Sequence, residues 1–262
     1  MSKAAITIHG FLTVKEDFGR LYDYLDFYDE VKAVELPGHN GDKPNFSLFT
    51  TKATFKAVLD AYEQLASKYD CVDVIGFSMG GALATWLASV RKVDKLVLVS
   101  PANRYINASL PIAFGKFFSE LGWRAFRETD GKLKDKFDAT GKAFSPYVEN
   151  IHTANKIAKE RTFRYMTPRT FTTFRSIVKN CNAVVESTSP NATPTLILWG
   201  KLDELVPERS VKYLINHFTA AQATIYPDVG HSMLYTNLDD VIIHDIVKFL
   251  TDGEVLLEVP KR

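Results

Sequence analysis

The sequence predicts an α/β architecture, a mostly parallel sheet with helices on both faces, and two observations carry that expectation. Six short runs rich in β-branched residues are spaced along the 262 residues, and most of the gaps between them hold amphipathic segments of helix length. Parallel neighbours cannot be joined by a tight hairpin, so each pair needs a crossover, and each crossover covers a face of the sheet. A third observation concerns one turn. In GFSMGG, residues 76–81, a serine stands between glycines where a strand-like run gives way to a helical one.

Taken in order, AAITI (4–8) is the first predicted strand, followed by a helix over 17–29. VKAVEL (31–36) is the second strand, with a helix over 50–69 after it. CVDVI (71–75) leads through GFSMGG into a helix over 80–90, where Leu83, Trp86, Leu87 and Val90 recur at i, i+3, i+4 and i+7 and predict one buried stripe. KLVLVS (95–100), TLILWG (195–200) and ATIY (223–226) complete the strands, with helices expected over 207–218 and 238–251. One interval breaks this rhythm. About ninety residues between VLVSPA and TPTLILWG are helical in character, including PIAFGKFFSELGWRAFRE and VENIHTANKIAKERTFRYM. An insertion at the carboxyl end of a strand falls where open α/β sheets place their ligands. The expected organisation is therefore a core of residues 1–103 and 194–262 with a helical cap over 104–193.

Composition bounds the function. A chain that is 46% hydrophobic and 24% charged has enough apolar material for one large folded domain. Its 32 basic and 31 acidic residues leave a net charge of +1, so no wholesale attraction to nucleic acid or to an anionic membrane is expected. The opening MSKAAITIHGF carries an apolar run too short and too polar for a signal peptide or a membrane span, which points to a cytoplasmic protein. Cys71 and Cys181 lack the spacing of a redox or zinc site and read as reduced packing residues, and the sequons at Asn45, Asn107 and Asn191 have no meaning without secretion. P-loop, GxGxxG, HExxH and EF-hand patterns are absent, so neither metal nor organic cofactor is expected.

The serine turn carries the chemistry. A residue at the tip of a strand facing a helix N-terminus must make a sharp turn, and glycines at 76 and 80 permit it while Ser78 projects its hydroxyl above the carboxyl edge of the sheet. A serine hydroxyl is a poor nucleophile and needs a histidine base held by an acid. His231 lies just after the last strand and Asp203 just after the strand before it, so both belong to loops at that same edge. Glu204 and Asp228 are alternative acids. His9 reads as a structural hydrogen bonder and His39 as a residue shaping the loop beside the site, while His152, His217 and His244 fall on predicted helices in packing or solvated positions.

Four separated motifs, IHGF (8–11), ELPGHNGD (35–42), GFSMGG (76–81) and the pair WGKLDELVP with VGHSML, resemble the α/β-hydrolase superfamily over nearly the whole chain. More narrowly the chain is similar to small bacterial carboxylesterases and monoacylglycerol lipases with a helical cap. The resemblance implies Ser78 as nucleophile, Asp203 as orienting acid and His231 as general base, with an oxyanion hole formed by the backbone N–H groups of Met79 and Phe11. It also implies a trimmed sheet, since larger members carry further N-terminal strands, and PGHN departs from the PGHG often found in relatives. Serine rather than aspartate at the turn separates the chain from dehalogenases and epoxide hydrolases.

Selectivity is expected in the cap, because such a triad transfers acyl groups without choosing them. Residues 104–193 hold nine of the 18 phenylalanines and fifteen Lys/Arg against eight Asp/Glu, a net charge near +7 against −6 for the remainder. The expected activity is a serine carboxylesterase acting on small-molecule esters with apolar, short-to-medium acyl chains through an acyl-enzyme. The same motifs also resemble the pyruvate-eliminating synthase of the menaquinone pathway and the carbon–carbon hydrolases, whose anionic substrates a basic cap would suit. Low-turnover receptors and regulators on the same fold form a third alternative.

Overall fold

The computed structural model describes residues 1–39, 44–105, 165–203, 205–236 and 238–253. Six strands, β1 (Lys3–Ile8), β2 (Glu30–Val34), β3 (Cys71–Phe77), β4 (Leu96–Val99), β5 (Thr195–Gly200) and β6 (Ala221–Tyr226), form one sheet in the order β2-β1-β3-β4-β5-β6. Every neighbouring pair is parallel, and the six strands overlap the six runs that mark them in the sequence. The chain runs outward from β1 to β2, then returns past β1 to β3 and continues the other way. That reversal makes the carboxyl ends of β1 and β3 the switch point of the sheet, where open α/β folds form their crevice.

Alternation along the strands sends side chains into two apolar layers. Ile6 and Ile8 of β1, Val72 and Val74 of β3, Leu96 and Leu98 of β4, and Ile197 and Trp199 of β5 join one layer. Ala5, Ile75, Phe77, Val97, Val99, Leu196 and Leu198 join the other. This is the period of two that a pleated sheet buried on both faces imposes.

The first layer is closed by α1 (Thr51–Ala66), α2 (Met79–Val90), α3 (Pro168–Thr188) and α4 (Arg209–His217), and the second by α5 (Asp239–Leu250) with a 3₁₀ helix, Lys15–Tyr24. That 3₁₀ helix stands where the sequence predicts a helix over 17–29. Gly19 breaks it with φ 57° and ψ −134°, and a Cβ there would lie 2.9 Å from the Leu234 carbonyl oxygen, so the chain bends to pass close to the 231–235 loop.

The stripe expected on α2 is also wider than the pattern suggests. Leu83 and Leu87 are fully buried, but so are Met79, Ala82 and Ala84, while Trp86 and Val90 are only half-buried. The cause is α3. Phe174, Ile177, Val178, Cys181 and Val185 of α3 join the same apolar layer, so α2 lies between the sheet and another helix. Thr167 starts α3 by accepting from the Thr170 amide, and Pro168 opens it at a position where its missing N–H costs nothing. Thus the last helix of the segment between β4 and β5 is a layer of the core, while residues 106–164 lie outside the described residues. Cys71 and Cys181 are both free thiols, and burial pushes the Cys181 thiol up.

Candidate active site

Ser78 sits between the end of β3 and the start of α2 with φ 54° and ψ −116°, a conformation that side chains other than glycine rarely adopt. The glycines around it explain how the turn is held. A Cβ on Gly76 would lie 2.4 Å from the Gly80 carbonyl oxygen, and one on Gly80 would lie 1.9 Å from the Ile8 carbonyl oxygen. Helix α2 therefore packs against the ends of β1 and β3 at a distance that no side chain tolerates. The Ser78 carbonyl accepts from the Ala102 amide at 2.9 Å, which ties the turn to the loop after β4.

Two loops at the same edge bring the other groups in. A Cβ on Gly200 would stand 2.1 Å from the Val229 carbonyl oxygen, so the loops after β5 and β6 are pressed together, and the Leu202 amide donates to that same oxygen. Asp203, 4% exposed, accepts at Oδ1 from the amides of Leu205 (2.9 Å) and Val206 (2.8 Å). Those two bonds fix the carboxylate plane and leave Oδ2 for His231, whose Nδ1 lies 2.8 Å away. The far nitrogen, Nε2, is 3.0 Å from Ser78 Oγ. A carboxylate can only accept, so Nδ1 carries the hydrogen, Nε2 accepts, and the serine hydroxyl donates. His231 is 4% exposed and rests on the Phe77 ring, centroids 5.2 Å apart.

The remaining candidates fall as follows. Gly10 brings the loop after β1 against the turn, since a Cβ on it would be 3.0 Å from Ser78 Cβ. Phe11 follows directly, and its amide has no acceptor among the described residues. Met79 is the first residue of α2, where no carbonyl of the same helix can take its amide. His9 is buried, with Nε2 accepting from the Leu36 amide and Nδ1 donating to the Gly10 carbonyl. His39 is buried beside it, its ring 5.2 Å from that of His9 and its Nδ1 donating to the Pro37 carbonyl. His217 and His244 lie on α4 and α5. Asp228 is exposed and has no bond to His231. Glu204 and His152 lie outside the described residues.

Sequence reasoning missed an aromatic row beside the serine. The Phe11 ring stacks on Phe49 at 5.8 Å and on Phe174 at 5.0 Å, and Phe174 meets Tyr105 at 4.7 Å. Phe174 is one of the phenylalanines counted in the 104–193 segment, but its place on α3 has no local signature. Burial raises the Tyr105 phenol above its ordinary value. Among the described residues no group of His, Cys, Asp and Glu could hold a metal ion, and no helix is long and apolar enough to cross a membrane.

The parallel sheet, the strained serine turn and the loops after β5 and β6 define the class. Residues 5–242 match the alpha/beta hydrolase family, and the chain belongs to it. It is 25% identical over 240 residues to the pimeloyl-[acyl-carrier protein] methyl ester esterase of Neisseria meningitidis, covering 88% of this chain and 87% of that protein. Among solved structures it resembles the monoacylglycerol lipase of Paleococcus ferrophilus, with a TM-score of 0.63, 19% identity and coverage of 96% and 95% of the two chains. A meta-cleavage product hydrolase from Pseudomonas fluorescens gives a TM-score of 0.64 at 19% identity, covering 97% of this chain and 92% of that one.

Proposed function

We propose that this chain is a serine carboxylesterase that cleaves small esters of apolar acyl groups through a covalent acyl-enzyme. The observation that carries the reading is the continuous line from Ser78 Oγ through His231 to Asp203, with bonds of 3.0 and 2.8 Å, standing on a strained turn at the switch point of the sheet. In this reading His231 takes the serine proton as Oγ attacks the ester carbonyl, and Asp203 stabilises the imidazolium that forms. The amides of Phe11 and Met79 receive the oxyanion, each contributing about 3 kcal/mol to the transition state. His231 then returns the proton to the leaving alcohol, and water repeats the cycle on the acyl-enzyme. Phe11, half-buried and next in sequence to the Gly10 that abuts Ser78, supplies apolar surface on this loop. Similarity to a pimeloyl-[acyl-carrier protein] methyl ester esterase adds methyl esters to the substrates worth testing.

The test is a fluorophosphonate probe and a panel of p-nitrophenyl esters applied to the wild type and to Ser78→Ala. The substitution is expected to abolish labelling and lower turnover by ~10⁴-fold or more, with an unchanged circular dichroism spectrum. Retained activity in the alanine variant would remove the assignment.

A further inference from the structure

Two loops, one bonded to the serine turn and one carrying Asp203, are joined by a buried side chain outside both. Ser210 stands in the first turn of α4 and is fully buried. Its hydroxyl donates to the Pro101 carbonyl at 2.6 Å and accepts from the Arg104 amide at 2.9 Å. A serine on a helix commonly bonds to a carbonyl of its own helix. Ser210 instead directs its donor and an acceptor to a segment 106 and 109 residues away, so α4 grips the loop after β4 at two points.

Each end of this brace leads to a reacting group. Beside Pro101, the Ala102 amide donates to the Ser78 carbonyl at 2.9 Å. A Cβ on Gly81 would lie 2.9 Å from Pro101 Cα, so the same loop is pressed against the first turn of α2. Ser78 itself, at φ 54°, keeps its conformation only while its surroundings over-determine it. At the other end, the Ser210 amide donates to the Pro207 carbonyl at 2.8 Å. The amide of the residue before Pro207, Val206, is one of the two that hold Asp203 Oδ1. A path of hydrogen bonds and single residues therefore runs from Ser78 to Asp203 without passing through His231. Arg209 also crosses this gap, from Nη2 to the Tyr105 carbonyl at 3.3 Å, but it is exposed, where water competes for the bond.

His231 has to keep two bonds at once, 3.0 Å to Ser78 Oγ and 2.8 Å to Asp203 Oδ2, so it works across a separation that other parts of the fold must fix. We infer that Ser210 is a positioning residue for the reaction, its hydroxyl setting the separation between the Ser78 turn and the Asp203 loop. The inference rests on the esterase reading and adds to it a residue that acts only through others.

The experiment is a double-mutant cycle on a p-nitrophenyl ester, with Ser210→Ala made in the wild type and in Asp203→Asn. In the wild type the substitution is expected to lower kcat about tenfold and leave KM within twofold, since even sub-ångström misplacement of reacting groups costs on that order. In Asp203→Asn the histidine has already lost its charged partner, and Ser210→Ala is expected to change kcat by less than about twofold. Equal factors in the two backgrounds would mark Ser210 as a support of the fold in general and overturn the inference. A wild-type kcat that Ser210→Ala leaves within twofold would also overturn it, with the triad reading intact. Asp203→Asn that keeps the wild-type kcat would instead remove the triad reading, and the inference with it. Circular dichroism checks that each variant is folded. Should the alanine variant not fold, Ser210→Cys, which has a weaker S–H donor in nearly the same volume, is held to the same criteria.

Discussion

Ser78 owes its position to hydrogen atoms at Gly76 and Gly80, because a methyl group at either would collide with backbone within 2.4 Å. Asp203 is held by its own chain, with one oxygen occupied by two amides two and three residues on. This division of labour makes asparagine the informative substitution. Asp203→Asn keeps an oxygen for the Leu205 and Val206 amides but places an NH₂ against His231 Nδ1. It can no longer stabilise an imidazolium, so kcat/KM for a p-nitrophenyl ester should fall by ~10⁴-fold while the fold is retained. Glu204→Gln should change kcat/KM by less than about threefold, and the reverse pattern would transfer the acid role to Glu204. Much of the candidate site was legible at this scale, since the GxSxG turn and two loop residues after consecutive strands carry it. The aromatic row was not, because Phe11, Phe49, Phe174 and Tyr105 meet only after the sheet and α3 have assembled.

Strands were the most legible elements, since each is a short β-branched run and the four central ones, β1, β3, β4 and β5, alternate between two buried faces. Helices were harder to delimit. The run 17–29 has helical spacing, yet Gly19 passes so close to the 231–235 loop that a Cβ on it would lie 2.9 Å from the Leu234 carbonyl oxygen, a tertiary constraint invisible in local pattern. Helix α3 shows the same limit from the other side, because a helix in a long helical stretch carries no mark that its partner is α2. Its apolar face settles the matter physically. Ile177 is fully buried between α2 and the rest of the layer, so Ile177→Ala leaves a cavity where the surroundings cannot collapse. The expected cost is about 2–5 kcal/mol, read from the midpoint and slope of a urea transition followed by circular dichroism. A helix that merely roofed the pocket would lose far less. A cost below about 1 kcal/mol would therefore detach α3 from the core.

At the scale of the whole molecule, the sheet separates chemistry from a buried charge. The serine, histidine and aspartate gather at the carboxyl edge, while Asp73 lies near the amino end of β3, 1% exposed, accepting a 2.6 Å bond from the Tyr28 hydroxyl. Burial holds the Asp73 carboxyl above its ordinary value, with the Tyr28 hydroxyl and the charges of Lys3 and Lys95 pulling the other way. The folded chain therefore binds this proton more tightly than the unfolded chain does. Its contribution to stability is fully present below the ordinary value of 3.8 and is lost as pH rises through the raised one. Asp73→Asn removes that titration while keeping an acceptor for Tyr28. The drop in Tm between pH 3.5 and pH 7 attributable to this group should vanish in the variant, so the two proteins should differ most at neutral pH, with the variant relatively favoured. Tyr28→Phe should act oppositely. It strips the carboxylate of its hydroxyl donor and should lower stability at pH 7 by about 1.5–3 kcal/mol, with a smaller loss at pH 3.5, where the carboxyl is protonated. Differential scanning calorimetry of the three proteins at both pH values measures this directly. Parallel Tm-versus-pH curves for the wild type and Asp73→Asn would show that Asp73 titrates alike in the folded and unfolded chains, and the buried carboxyl would then play no part in the acid response of the fold.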